Sequence, residues 1–118
     1  MGGCTVRRIT VIIEFQSVQR LKLHMSDSQK VNKLMVLAFN TWSGPSYHLE
    51  QILSEIAMNN RDVDFIKIDV EKMADAAEEY GIQTVPTFLL MKNGQEVDKL
   101  VGSDQGELKN KILKHRNA

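Results

Sequence analysis

Apolar residues along this chain switch repeatedly between two spacings. Short continuous apolar runs, typical of buried strands, alternate with segments in which apolar residues recur every three to four positions, as on one face of a helix. Strands and helices that alternate in this way pair in parallel through right-handed crossovers. The alternation therefore predicts an α/β fold with a central sheet flanked by helices.

The predicted element order is β-α-β-α-β-α-β-β-α. The expected strands span residues 9–13, 34–39, 63–70, 87–91 and 96–101. Apolar residues at helical spacing begin after Ser17 and recur over residues 49–57 and 73–80. A last helix is predicted near the C-terminus, with Leu108, Ile112 and Leu113 on its buried side. Asn93-Gly94 is typical of a tight hairpin turn, so the last two strands should be antiparallel and the sheet mixed.

Length, charge and cysteine content exclude several classes of protein. The chain of 118 residues fits one domain, and its 15 basic and 15 acidic residues leave no net charge for binding nucleic acid. No apolar run approaches the roughly 20 residues of a membrane span. The single cysteine, Cys4, cannot form an internal disulfide, which favours the reducing cytoplasm. The three histidines lack ligand spacing, so no metal site is expected. No cofactor is expected either.

Three motifs accompany this element order, and together they resemble the thioredoxin family. They are Trp42-Ser43-Gly44-Pro45-Ser46, Val85-Pro86-Thr87-Phe88 and Val101-Gly102. The resemblance covers nearly the whole chain and is closest to the plant h-type (cytosolic) branch. It implies a thioredoxin-like domain over residues 9–118, preceded by a flexible segment at 1–8. The family's activity is protein-disulfide oxidoreduction on protein clients.

Both positions that carry the family's chemistry differ in this chain. The family motif is Trp-Cys-Gly-Pro-Cys, in which a thiolate at a helix N-terminus attacks and a second cysteine resolves the mixed disulfide. Ser43 and Ser46 occupy these positions here. An alcohol is a far weaker acid than a thiol and cannot form a reversible disulfide, so the dithiol reaction is absent from the chain as written. We expect Ser43 to be a helix N-cap. A serine hydrolase is excluded because His48, two residues after Ser46, points away on a helix.

Further departures lie beside this motif. The family's buried carboxylate on the central strand corresponds to either Leu37 or Ala38, since the following segment is one residue short. Lys67, which matches the lysine beside that carboxylate, is therefore expected to lack a partner and to reach solvent by snorkelling. Tyr47 replaces a basic residue. These changes fit a natural paralogue released from redox selection, and an engineered double serine variant of an unusual h-type thioredoxin remains open.

The resemblance also implies a groove for extended peptides. Pro86 occupies the family's cis-proline position, and the backbone of Val85 would pair with a segment of the target protein. The other residues that border this groove correspond to Trp42, Gly44, Pro45 and Gly102. The plainer interpretation is that Pro86 only starts a strand and Trp42 only packs. Because strand addition needs no thiol, the predicted function is a redox-inactive module that binds protein clients.

Two alternatives remain open. The chain is either this binding module or an oxidoreductase, namely an h-type thioredoxin seen as an inactive serine variant, or a protein that performs monothiol exchange through Cys4. Thioredoxin reductase would be a partner only of the oxidoreductase. The start Met1-Gly2-Gly3-Cys4 resembles an N-myristoylation site, so Gly2 and Cys4 are candidates for lipidation, against an incidental exposed cysteine. Membrane contact is expected only through such acylation.

Overall fold

The computed structural model describes residues 12–15, 17–26, 32–42 and 47–116. Within these ranges, five strands and four helices follow one another in the predicted order. They are β1 (Ile12–Glu14), α1 (Val18–Met25), β2 (Leu34–Asn40), α2 (Tyr47–Met58), β3 (Asp64–Asp69), α3 (Ala74–Glu79), β4 (Thr87–Lys92), β5 (Gln95–Val101) and α4 (Gln105–His115). The predicted α/β class and element order are confirmed. The expected flexible segment at 1–8 lies outside the described residues.

The sheet is mixed, as predicted. Its strand order is β1-β3-β2-β4-β5, in which β1, β3 and β2 are parallel and β4 is antiparallel to both β2 and β5. Asn93 and Gly94 join β4 to β5 with φ values of 56° and 78°. Two positive φ values in succession match the twist of the flanking strands, which is why an Asn-Gly pair suits this turn.

Strand β2 forms the centre of the core. All seven of its residues are buried. Successive side chains of a strand point to opposite faces, so Val36 and Ala38 pack on the face covered by α2 and α4, whereas Leu37 and Phe39 pack on the face covered by α1 and α3. Helices on both faces explain why this strand is continuously apolar.

The last helix differs from its prediction at one position. Asp104 caps its N-terminus, because its Oδ1 accepts a hydrogen bond from the Glu107 amide at 3.0 Å. Leu108 and Ile112 are buried as expected, but Leu113 is 62% exposed, so its assignment to the buried side is wrong. One residue advances about 100° around a helix, which turns Leu113 away from the sheet when Ile112 faces it.

Asp98 ties α4 to the edge strand β5. Its side chain is 19% exposed, Oδ1 accepts a hydrogen bond from Lys111 Nζ at 2.9 Å, and Oδ2 lies 2.9 Å from His115 Nε2. The hydrogen bond from Lys111 lowers the pKa of Asp98, and burial opposes part of that effect. Contacts with His115 and with the Lys99 amide lower the pKa further. The ionised carboxylate therefore stabilises the packing of α4.

Replacement of Asp98 by asparagine should lower the free energy of unfolding by about 1–2 kcal/mol at neutral pH, because a charge-assisted contact is lost. A carboxyl whose pKa is lowered in the folded state stabilises the fold above its ordinary titration range, near pH 4, and loses that contribution as the pH falls further. Urea denaturation at several pH values measures this difference, which should shrink in acid.

The control variant is Glu96→Gln, which removes an exposed carboxylate from the same strand. Its free energy of unfolding should stay within about 0.5 kcal/mol of the wild type. An equal loss of stability in both variants, or a loss in Asp98→Asn that does not change with pH, would contradict the stabilising role of the Asp98 carboxylate.

Candidate functional site

The candidate site lies at the sheet edge where β2 and β3 end and β4 begins. Phe39 pairs with Ile68 on one side and with Thr87 on the other, so the ends of β2 and β3 meet the start of the antiparallel strand β4. Trp42 follows β2 by two residues, and Pro86 directly precedes β4. Ligands of open α/β sheets bind beyond the carboxyl ends of the strands, which is this edge.

Four residues form what we call the Pro86 edge: Val85, Pro86, Val101 and Gly102. The Val85–Pro86 peptide bond is cis, and the Gly102 amide donates a hydrogen bond of 2.9 Å to the Pro86 carbonyl. Gly102 has a φ of 111°, a conformation that favours glycine. The side chains of Val85 and Val101 are 42% and 58% exposed. This edge therefore presents two apolar side chains to solvent.

The backbone of Val85 lies just before β4 and outside the sheet. Within the described part of the chain, neither its amide nor its carbonyl takes part in a backbone hydrogen bond. On either side of Val85 in the sequence, the Thr87 hydroxyl donates a hydrogen bond of 2.6 Å to the Thr84 carbonyl. A backbone of this kind can accept an additional strand.

Trp42 is anchored to the sheet by its indole. Its Nε1–H lies 3.2 Å from the Ala38 carbonyl and 3.1 Å from the Ile68 carbonyl, which belong to neighbouring strands. The ring is half-buried against the core on the α2 and α4 face. Trp42 thus connects the ends of β2 and β3.

Lys67 is paired, contrary to our expectation from the sequence. Its Nζ lies 2.6 Å from Glu50 Oε2 and 5.7 Å from the centroid of the Trp42 ring. The Lys67 side chain is 13% exposed and that of Glu50 is 35% exposed. The prediction of a lysine that reaches solvent without a partner is therefore wrong. Glu50 occupies the first turn of α2, where the helix dipole favours a negative charge, and this turn brings its carboxylate to β3.

Several predicted site residues lie outside the described residues: Gly2, Cys4, Ser43, Gly44, Pro45 and Ser46. Their roles stay predictions from the sequence. Among the residues that are described, no group of three or more His, Cys, Asp or Glu side chains could hold a metal ion. No helix in that part of the chain is both long and apolar enough to cross a bilayer.

Comparison with known proteins decides the family. The thioredoxin family model matches residues 17–114. The chain belongs to the thioredoxin family. Thioredoxin H2 of Arabidopsis thaliana is 36% identical over 106 residues, which cover 89% of this chain and 80% of that protein. The crystal structure of the thioredoxin NaTrxh from Nicotiana alata is 43% identical, with a TM-score of 0.83 over 95% of this chain and 98% of that one. The predicted relationship to plant h-type thioredoxins is confirmed.

Within this thioredoxin fold, the register decides between Leu37 and Ala38. Ala38 pairs with Lys67 on the adjacent strand and lies on the same face. Leu37 points to the opposite face, into the core that α1 and α3 cover. Ala38 is therefore the position beside the lysine, and this position carries no carboxylate.

Glu50 is a site residue that our sequence analysis missed, as is Val101 of the Pro86 edge. Glu50 directly follows Leu49, which belongs to the apolar stripe of α2, so its side chain lies at the border of the buried face. Lys67 stands between the buried apolar residues Ile66 and Ile68 of β3. An acidic residue at such a border and a lysine in such a strand are signals for a pair, but they do not say which residues meet.

Proposed function

We propose that this thioredoxin-family protein is a binding module that lacks the dithiol-disulfide reaction and binds an extended segment of a partner protein along the Pro86 edge. The observation that carries the proposal is an exposed apolar edge beside a Val85 backbone that makes no backbone hydrogen bond to another described residue, in a chain with serine at both positions of the reactive cysteines. Members of the family generally interact with protein clients. The proposed binding uses main-chain hydrogen bonds, which do not require sulfur.

The proposed binding mode is strand addition. Main-chain hydrogen bonds to Val85 supply affinity, and contacts with alternate side chains of the peptide supply specificity. Burial of apolar surface on Val85 and Val101 makes the free energy of binding more favourable by about 25 cal/mol for each Å² removed from water. The matching partner is an extended segment that carries apolar side chains at alternate positions.

The proposed location is the cytoplasm. Its reducing conditions keep thiols free, which suits a chain whose single cysteine cannot form an internal disulfide. Acylation at Gly2 or Cys4 would add membrane contact. One myristoyl chain binds a membrane only marginally, so a second acyl chain on Cys4 or the basic pair Arg7-Arg8 would have to contribute.

The second candidate function is protein-disulfide oxidoreduction. It is favoured by the similarity to h-type thioredoxins over most of the chain. Under this alternative, Ser43 and Ser46 stand where a redox-active relative has cysteines and thioredoxin reductase is a partner, or Cys4 performs monothiol exchange. Activity measurements on cysteine variants, described in the Discussion, distinguish it from the binding module.

A charge on the Pro86 edge should abolish most peptide binding. The probe is a fluorescently labelled peptide selected on the intact protein from a displayed library of random short peptides, and its affinity is measured by fluorescence anisotropy. Val101→Glu should weaken binding by about tenfold or more, because the buried contact would now require desolvation of a carboxylate. Val97→Glu is the matched control, since Val97 is 38% exposed on the same strand but near the hairpin turn.

Val85→Glu should behave like Val101→Glu, because both side chains belong to the Pro86 edge. Val97→Glu should keep the affinity of the wild type. Equal affinities in all three variants would place the peptide elsewhere and contradict the proposal, as would a library that yields no binding peptide.

A further inference from the structure

The Glu50–Lys67 pair has no counterpart in our sequence-based expectations, and it lies directly beside Trp42. We infer that Glu50 supplies from helix α2 the counter-ion that β2 lacks at Ala38, and that the ion pair positions the Trp42 ring. Glu50 and Lys67 are thus positioning residues for the candidate site. The consequence for ligand binding rests on the proposed function, whereas the effect on the ring does not.

A series of contacts runs from helix α2 through Lys67 to the indole of Trp42. Glu50 Oε2 holds Lys67 Nζ at 2.6 Å, and this ammonium lies 5.7 Å from the Trp42 ring centroid. The indole N–H in turn binds the carbonyls of Ala38 and Ile68. The ring is therefore held by its N–H at the ends of β2 and β3 and contacted by a cation that α2 keeps in place.

Burial explains why Lys67 needs this partner. An ammonium that is largely removed from water is costly unless an anion or hydrogen-bond acceptor compensates it. Ala38, the residue in register with Lys67 on β2, offers no such side-chain group. Without Glu50, the flexible lysine would lower its free energy by turning towards solvent, and Trp42 would lose the cation near its ring.

Glu50 is suited to this role because its own desolvation is modest. Its side chain keeps about a third of its surface in water, and it lies in the first turn of α2, which stabilises a carboxylate. The pair joins α2 to β3, and in the sequence Trp42 directly precedes the segment that contains Ser43 and Ser46, whereas Glu50 follows it. A fixed ring at this place would lower the ordering cost of binding a peptide nearby.

Tryptophan fluorescence tests the inference directly, because Trp42 is the only tryptophan of the chain. Glu50→Gln should shift the emission to longer wavelength and increase quenching by acrylamide, since the ring becomes more exposed. Glu55→Gln removes an exposed carboxylate from the same helix and should leave both quantities unchanged. Circular dichroism of each variant confirms that it is folded.

A double-mutant cycle separates positioning from independent effects. Lys67→Gln should shift the emission in the same direction as Glu50→Gln, and the double variant should show no larger shift than Lys67→Gln alone. Emission of Glu50→Gln equal to that of the wild type, or shifts that add in the double variant, would overturn the inference. All spectra are recorded without peptide, so a failure of the peptide-binding proposal leaves their outcome unaffected.

Discussion

Replacement of Ser43 and Ser46 together by cysteine should give this chain disulfide reductase activity, roughly 100-fold or more above the assay background. The reaction needs an attacking thiolate and a second thiol that resolves the mixed disulfide, and the chain as written has neither in this motif. Reduction of insulin in the presence of dithiothreitol measures the gain. Cys4 is replaced by serine in every variant, so that the introduced thiols alone can react.

The single variant Ser43→Cys is the matched control. It should attack a client disulfide and form a mixed disulfide that no second thiol of the motif resolves. Only dithiothreitol from solution can release it, so its turnover should stay far below that of the double cysteine variant. Insulin reduction by the chain with both serines and without Cys4 would contradict the proposed loss of dithiol chemistry. An inactive but folded double cysteine variant would contradict the expectation that the scaffold can still support the reaction.

Introduction of aspartate at neighbouring positions of β2 should have very different effects on stability. Leu37→Asp should lower the free energy of unfolding by about 4–5 kcal/mol or more, because it places an unpaired charge in the apolar core on the α1 and α3 face. A loss of this size approaches the whole stability of many domains. Ala38→Asp should cost about 1–2 kcal/mol, since Lys67 lies in register beside it. Urea denaturation followed by circular dichroism measures both.

The same two substitutions are also made in a chain that carries Glu50→Gln, which tests the role of Lys67 in this comparison. With Glu50 neutral, Lys67 has one carboxylate instead of two when aspartate stands at position 38, so Ala38→Asp should be less costly in that background than in the wild type. Leu37→Asp should cost the same in both backgrounds, because its side chain lies on the opposite face. If Leu37→Asp and Ala38→Asp lowered the free energy of unfolding equally, with or without Glu50→Gln, the result would contradict the strand register.

The element order could be predicted from the sequence because it depends on local periods of apolar residues. Strand β2 is a continuous apolar run, and the Asn93-Gly94 turn has a local conformational signature, so both agree with the structure. The error at Leu113 has an equally local cause. Adjacent apolar residues can both belong to a buried face, as Ile56 and Ala57 do on α2, so the pattern alone did not say that Ile112 would be buried and Leu113 exposed.

The candidate site was predictable only in part. The motifs pointed to Val85, Pro86 and Gly102 as groove residues and to the serines, because these depend on residue identity and on family resemblance, and the role of the groove stays a prediction. They left Leu37 and Ala38 as alternatives, since a turn one residue shorter shifts the alignment, and a shift of one residue reverses the face of a strand. The pairing of β2 with β3 removes this ambiguity, because Ala38 and not Leu37 lies opposite Lys67.

By itself, the sequence determined the family, the order of the elements and the absence of sulfur from the reactive positions, because these follow from residue identity and local spacing. Only the tertiary structure decided that Lys67 has a partner and that this partner is Glu50. The two residues are 17 positions apart on different elements, and their contact depends on how α2 lies across β3. Pairing energies depend on distances of a few ångströms, which local spacing does not specify.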